Sequence, residues 1–299
     1  MLIHLGYHKT ATTWLQQYYF PCHSQIDFVG KHEELWSQII SPHGFDFDVE
    51  IARAFFYPKL ESARCDNLFP VFSSERLSGN PHSGGYDSKI IADRLKQVFP
   101  DSKILIVIRK QDEAILSSYK QYIKVGGICT LREYLHPPRD GRIPLFRLEH
   151  WQYHKLIDYY AQLYGKTQIQ VLCYEQFKQS PRQFLTELAE FMGISDEEYF
   201  PITTKINESL SDLAILLKRR INRWHGNDSL YPITPKFPKC TQFLWNTYLK
   251  FEHYPRIQKF NAHFSECIQD TIGDFYAESN RYLSEQYQLD LNSYDYRMS

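Results

Sequence analysis

Residues 104–108 read Ile-Leu-Ile-Val-Ile, five strand-forming apolar positions without a polar residue between them. A strand with one wet face alternates apolar and polar positions, whereas a continuous run needs cover on both faces, as in a parallel sheet flanked by helices. Three more short runs share this character: LIHLGY near the start, LFPVFSS at 68–74 and QIQVLCYE at 168–175. Amphipathic segments accompany them: TTWLQQYYF, which stops at Pro21, SKIIADRLKQVF before the KILIVIR run (103–109), and EAILSSYKQYI after it. This alternation predicts an α/β fold with a central parallel sheet flanked by helices and right-handed crossovers.

From about residue 181 the pattern becomes helical. PRQFLTELAEFMGI carries Pro early and Gly near its end, SLSDLAILLKRRINRW follows, and the tail ECIQDTIGDFYAESNRYLSEQY is helical as well. The Pro-rich stretch YPITPKFPKC between the last two reads as a surface or substrate-facing loop. We expect one domain over 1–299, with an α/β core over 1–194 that carries the site and a mainly helical extension over 195–299 that completes it.

Apolar residues make up 43% and charged residues 23%, enough to build a sizeable core. The 34 basic and 35 acidic residues leave a net charge of −1, so no global field draws the chain to nucleic acid or an anionic membrane, and any anion must be held by a local site. The six cysteines (Cys22, Cys65, Cys129, Cys173, Cys240, Cys267) form no C-x-x-C pair and read as reduced thiols of a cytoplasmic protein. No leader-like segment and no run near the roughly 18 apolar residues of a membrane span is visible.

The first apolar run ends in GYHKTATTW, residues 6–14, at a strand-to-helix turn. Ligands of parallel α/β sheets bind at such turns, where free N–H groups and the helix dipole attract anions. Lys9 adds a charge, and the hydroxyls of Thr10, Thr12 and Thr13 add hydrogen-bond donors. The plain alternative is an ordinary turn with a threonine cap and a solvated lysine. The nucleotide P-loop G-x-x-x-x-G-K-[ST] places its lysine after the small residues, whereas Lys9 precedes them, so an ATPase or kinase loop lacks its central feature here.

The order H-K-T-A-T-T-W-L resembles the phosphosulfate loop of the sulfotransferase family, commonly P-K-S/T-G-T-T-W-L. His8 stands at the usual proline and Ala11 at the usual glycine, which suggests that position 11 needs no positive φ. A second motif agrees with the first: Arg109 ends the KILIVIR run and Ser117 follows eight positions later, as in the family's 3′-phosphate element. An arginine fork at a strand end and a serine two turns into the next helix suit a phosphate on physical grounds too. The segment VLCYEQFKQSP is similar to the family's Y-E-D-hydrophobic-K-x-x-P element, which puts Tyr174 near an adenine. Trp14 matches the tryptophan that stacks on that base, although either aromatic also suits a packed core.

The resemblance spans about residues 2–194. It implies a P-loop-like fold, 3′-phosphoadenosine 5′-phosphosulfate (PAPS) as co-substrate, 3′-phosphoadenosine 5′-phosphate (PAP) as product and no metal requirement. It implies that Lys9, Thr10, Ala11, Thr12, Thr13 and Trp14 hold the phosphosulfate and base, while Arg109 and Ser117 select the 3′-phosphate. Glu75, at the end of LFPVFSSE, stands where relatives carry a histidine or glutamate base; its other reading is a helix-entry carboxylate. Lys9 and Glu75 are then the catalytic pair. The C-terminal R-K-G loop of cytosolic animal members is absent, and Lys205, Arg219 and Arg220 are the candidates to substitute, with a solvated basic face as the other reading of the arginines. The twelve histidines show no H-E-x-x-H spacing. The expected partner is a small-molecule, natural-product or sugar acceptor presenting a hydroxyl or amine. Oligomeric state stays open, and the competing classes are a P-loop nucleotide kinase or NTPase and an inactive nucleotide-binding relative.

Overall fold

A computed structural model describes residues 1–30, 32–137, 144–196, 200, 210–224, 245 and 260–299. The four apolar runs are all strands of one parallel sheet: β1 (Leu2–Gly6), β3 (Phe69–Ser73), β4 (Lys103–Ile108) and β5 (Ile169–Cys173). A fifth strand, β2 (Ile26–Gly30), completes the sheet in the order β2-β3-β1-β4-β5. Its IDFVG sequence carries an aspartate and lies at the sheet edge, where its three middle residues are only partly covered, which explains its weak apolar signal.

Continuous apolar runs follow from cover on both faces. In β4, Ile104, Ile106 and Ile108 join one buried cluster while Leu105 and Val107 join another, the period of two expected of a strand. The first cluster is closed by α2 (His32–Leu35), α3 (Val49–Cys65), α4 (Ser88–Val98), α5 (Gln111–Lys124), α6 (Leu131–Leu135) and α7 (Tyr153–Tyr164). The second is closed by α1 (Thr12–Trp14), which continues as a π-helical turn over Leu15–Tyr19, and by α8 (Tyr174–Gln179) and α9 (Pro181–Met192).

Topology locates the site. The chain leaves β1 toward β2 on one side and leaves β4 toward β5 on the other, so the sheet changes direction between the adjacent strands β1 and β4. The crevice beyond the carboxyl ends of such a pair is where open α/β sheets bind ligands. Five paired positions, Leu2 with Lys103 through Gly6 with Val107, set the two exits side by side.

The later helices follow the sequence pattern with one break. α10 (Asp212–Trp224) packs along the end of α5, tied by Lys120 to Asp212 at 2.9 Å and by Asn222 Nδ2 to the Ile123 and Gly127 carbonyls at 2.8 Å each. The tail forms two helices, α11 (Phe264–Ile272) and α12 (Ala277–Tyr287), because Gly273 adopts φ 44° between them. The Pro-rich stretch lies outside the described residues. The five described cysteines are free thiols, and among the described residues no helix is long and apolar enough to cross a membrane.

Candidate active site

The loop after β1 is built around a close approach. A Cβ on Gly6 would fall 2.5 Å from Thr12 Oγ1 and 2.7 Å from Thr10 Oγ1, so only glycine lets both hydroxyls fold back over the strand end. Thr10 Oγ1 donates to the Tyr7 carbonyl at 2.5 Å, so this hydroxyl stitches the loop instead of facing outward as a free donor. Thr12 Oγ1 is buried without a hydrogen-bond partner among the described residues, and Thr13 is half-buried in the same turn. Both Lys9 (φ 71°) and Ala11 (φ 63°) occupy the left-handed region. The expectation that Ala11 marks a loop free of positive φ is therefore wrong: the turn needs that conformation, and the alanine adopts it at a cost of about 1–2 kcal/mol. Strain of this kind persists where the surrounding fold over-determines a functional loop.

Arg109 leaves β4 directly beside this loop. Its Nη1 donates to the Lys9 carbonyl at 3.3 Å, while Nε and Nη2 reach Glu113 Oε2 at 3.2 and 2.6 Å. The guanidinium also lies over the Tyr174 ring, 4.8 Å from its centroid. Lys9 Nζ donates to Gln121 Oε1 at 3.1 Å. Glu113, Ser117 and Gln121 recur every fourth residue, the spacing that places side chains on one face of α5, and Arg109 stands four residues before Glu113, just ahead of the helix. Helical spacing alone would have flagged Glu113 and Gln121, which motif matching passed over.

Burial, reinforced by Lys124 and Arg109 and opposed by Glu75, lowers the Lys9 pKa from its ordinary value. Against the upward push of partial burial, the Arg109 hydrogen bonds hold the Glu113 carboxyl below its usual value. Glu75 opens a short 3₁₀ turn (Glu75–Ser78) straight off β3, capped by Ser74, whose Oγ accepts from Arg76 N at 3.2 Å. Its helix-entry position and its place within electrostatic reach of Lys9 therefore coexist. Trp14 is only 4% exposed and packs against Phe177 at 5.1 Å and Tyr18 at 6.2 Å. Ser117 is half-buried, and the neighbouring Ser118 Oγ is buried without a hydrogen-bond partner among the described residues.

A polar cluster that sequence reading did not assemble surrounds Lys9. His8, His82, His150 and Arg76 lie within electrostatic reach of one another; His82 Nδ1 is 3.0 Å from Tyr134 OH, and Arg76 Nη2 pairs with Asp87 Oδ2 at 2.7 Å. His8 Nδ1, His150 Nε2 and Arg76 Nη1 are buried without hydrogen-bond partners among the described residues. Burial above all, with nearby cations, lowers the His82 and His150 pKa values to about 4 and that of His8 well below its usual value. These residues come from separate loops, and only His8 lies inside a recognisable motif. Among the described residues no group of three or more His, Cys, Asp or Glu is arranged to hold a metal ion.

Residues 2–272 match the family model described as a sulfotransferase domain. The chain belongs to the sulfotransferase family. Its P-loop-like fold is shared with the crystal structure of a sulfotransferase from Alicyclobacillus acidocaldarius, at 19% identity over 72% of this chain and 88% of that one, with a TM-score of 0.50. A mouse sulfotransferase, SULT7A1, complexed with PAP is more distant, at 14% identity over 90% of this chain and 88% of that one, with a TM-score of 0.37. No curated protein sequence matches the chain significantly.

For this sulfotransferase, the candidates to replace the R-K-G loop divide. Lys205 lies outside the described residues. Arg219 and Arg220 ride on α10, where Arg220 is exposed, but the helix is not simply a solvated basic face, because Lys218 is buried with its ammonium over the Trp245 ring at 5.2 Å.

Two outcomes follow from this geometry. Replacing Ala11 by Gly relieves the left-handed strain and is expected to raise unfolding free energy by about 0.5–1 kcal/mol in urea titration, after the added chain entropy of glycine is counted. A loss of stability would show that the alanine methyl group packs usefully. Because His4, His82 and His150 have folded pKa values of about 3, about 4 and about 4 against 6.5, the unfolded chain binds more protons between pH 6.5 and about 4. Their contribution is fully present above pH 6.5 and drains as pH falls through that window, at up to about 1.4 kcal/mol per pH unit for each imidazole. His150→Gln is expected to flatten the fall in melting temperature between pH 7 and 5, and an unchanged slope refutes the assignment.

Proposed function

We propose that this sulfotransferase moves a sulfuryl group from PAPS to a hydroxyl or amine of a small-molecule acceptor by in-line displacement. One observation carries the reading: Arg109 Nη1 lies 3.3 Å from the Lys9 carbonyl, so two motifs separated by a hundred residues meet in one anion-binding crevice. The chemistry of the residues suits the co-substrate. Lys9 and Arg109 supply fixed positive charge, the buried Thr12 hydroxyl offers an unused polar group at the loop, and Tyr174 presents an aromatic face beneath the guanidinium.

In this reading the acceptor oxygen or nitrogen attacks sulfur as the bond from sulfur to the 5′-phosphate oxygen breaks. Glu75 takes the acceptor's proton, and Lys9 neutralises the negative charge that gathers on the leaving phosphate, so the products are a sulfated acceptor and PAP. Thr10, Ala11 and Thr13 shape the loop around the phosphosulfate, Trp14 and Tyr174 border the adenine, and Arg109 with Ser117 binds the 3′-phosphate. As in phosphoryl transfer, positioning and charge neutralisation supply most of the acceleration. Core 1–194 and helical extension 195–299 act as one domain in this proposal. The presence of both Lys9 and Glu75 argues against an inactive relative, and a lysine ahead of the small residues argues against an NTPase.

PAP is expected to raise the melting temperature far more than ATP does; equal shifts would sink the assignment. Lys9→Ala and Glu75→Ala should each lower turnover about 100-fold or more while leaving the fold intact. Arg109→Ala should act chiefly by weakening PAPS binding, about 10- to 100-fold, as expected for loss of a charge-assisted pair.

A further inference from the structure

The junction between β4 and α5 spans Arg109 to Gln111, and later parts of the chain hold each of its residues. The Arg109 carbonyl accepts from Tyr153 OH at 2.6 Å. The Lys110 amide donates to Glu175 Oε1 at 3.1 Å, and Gln111 Nε2 donates to Asn280 Oδ1 at 2.6 Å. Behind this layer lies a second, formed by the carboxyl-terminal residues. Tyr296 OH donates to Glu175 Oε2 at 2.9 Å, and Asn280 Nδ2 donates to the Arg297 carbonyl at 2.9 Å. Gln111, Tyr153, Glu175, Asn280 and Tyr296 are all buried, Asn280 and Tyr153 completely.

Two hydrogen-bonded routes thus run from the last residues to the base of Arg109: Tyr296 to Glu175 to the Lys110 amide, and the Arg297 carbonyl to Asn280 to Gln111. Glu175 directly follows Tyr174, so the first route also fixes the residue whose ring underlies the guanidinium. A buried carboxylate is a costly choice for packing alone, because each oxygen must find a donor. Glu175 has one for each oxygen, at opposite ends of the route. The side chain of Arg109 points to the crevice, while its backbone is gripped from behind.

We infer that the carboxyl-terminal segment positions Arg109: Tyr296 and Asn280, acting through Glu175 and Gln111, hold the strand-to-helix junction so that the guanidinium stays aimed at the nucleotide's 3′-phosphate. This rests on the reading of Arg109 given above. The sequence has no R-K-G motif, and among the described residues Asn280, Tyr296 and Arg297 serve the phosphate site from behind. Tyr296 and Asn280 are positioning residues, since neither reaches the crevice except through another side chain.

The test is the preference for PAP over adenosine 5′-monophosphate, which lacks the 3′-phosphate, measured by calorimetry on the full chain. Tyr296→Phe removes one hydroxyl from a buried site and should raise the Kd for PAP about tenfold while changing that for the monophosphate less than twofold. Asn280→Ala opens the other route and carries the same expectation, so the outcome does not hang on one variant's folding. In an Arg109→Ala background, Tyr296→Phe should no longer change PAP affinity, a non-additivity expected of residues acting through one another. Tyr287→Phe, which loses a 2.9 Å bond to Asp158 on another face, should leave the preference unchanged. A wild-type protein without preference for PAP overturns the reading of Arg109 itself. A wild type with the preference, but variants that keep it or lose affinity for both nucleotides equally, overturns the positioning role alone.

Discussion

The pairing of β1 with β4 is the constraint on which the rest depends. Register in a parallel ladder is specified by the faces it buries, and a one-residue slip would turn Ile104, Ile106 and Ile108 away from the cluster they share with Ile3 and Leu5. That same register brings the exit of β1 beside the exit of β4, so the Lys9 carbonyl meets the Arg109 guanidinium. The core therefore sets the placement of the two strand exits that border the crevice. Tyr7 continues the ladder by donating its amide to the Val107 carbonyl at 3.0 Å, which carries sheet rigidity one residue into the loop.

Beyond that residue the backbone departs from ordinary geometry. Two left-handed residues, Lys9 and Ala11, flank the buried Thr10, whose hydroxyl closes on Tyr7. The helix that follows is a single α turn widened into a π turn, and its tryptophan is locked between Tyr18 and Phe177. A non-glycine residue in this conformation is sustained only by its neighbours. Here those neighbours are Gly6, which leaves room for Thr10 and Thr12, and Arg109, which binds the Lys9 carbonyl. The strain is thus held by the group that also reads the ligand in the function proposed.

Much of the fold was legible because continuous apolar runs leave few alternatives: ILIVI demands two covered faces, and the structure covers both. The edge strand was not, because IDFVG buries too little to be distinguished from a loop. In the site, Arg109 was readable as a partner of the first loop through the resemblance of its motif, which an arginine fork at a strand end supports physically, and the topology brings the two together. The histidine cluster was not readable. His8, His82 and His150 come from three loops, and nothing in their spacing says that burial will draw them together as neutral imidazoles. The conformation of Ala11 was misread for a related reason. Residue type expresses a preference of about 1–2 kcal/mol, and a loop pinned at both ends overrides it.

Arg109 and the face of α5 that runs Glu113, Ser117, Gln121 show how such a crevice could keep its charges ready. Gln121 meets the Lys9 ammonium with a neutral amide oxygen at 3.1 Å. A carboxylate there would bind the ammonium more strongly, and that attraction would have to be broken before the lysine could serve an anionic ligand. Arg109 has the opposite arrangement: two of its three nitrogens face Glu113. Both nitrogens share the single oxygen Oε2, so Glu113 restrains the guanidinium, and, being partly exposed, it could give way to a ligand anion in the function proposed. One cation is kept free by a weak partner and the other is kept aimed by a replaceable one. Both partners, Glu113 and Gln121, are carried by the single helix α5.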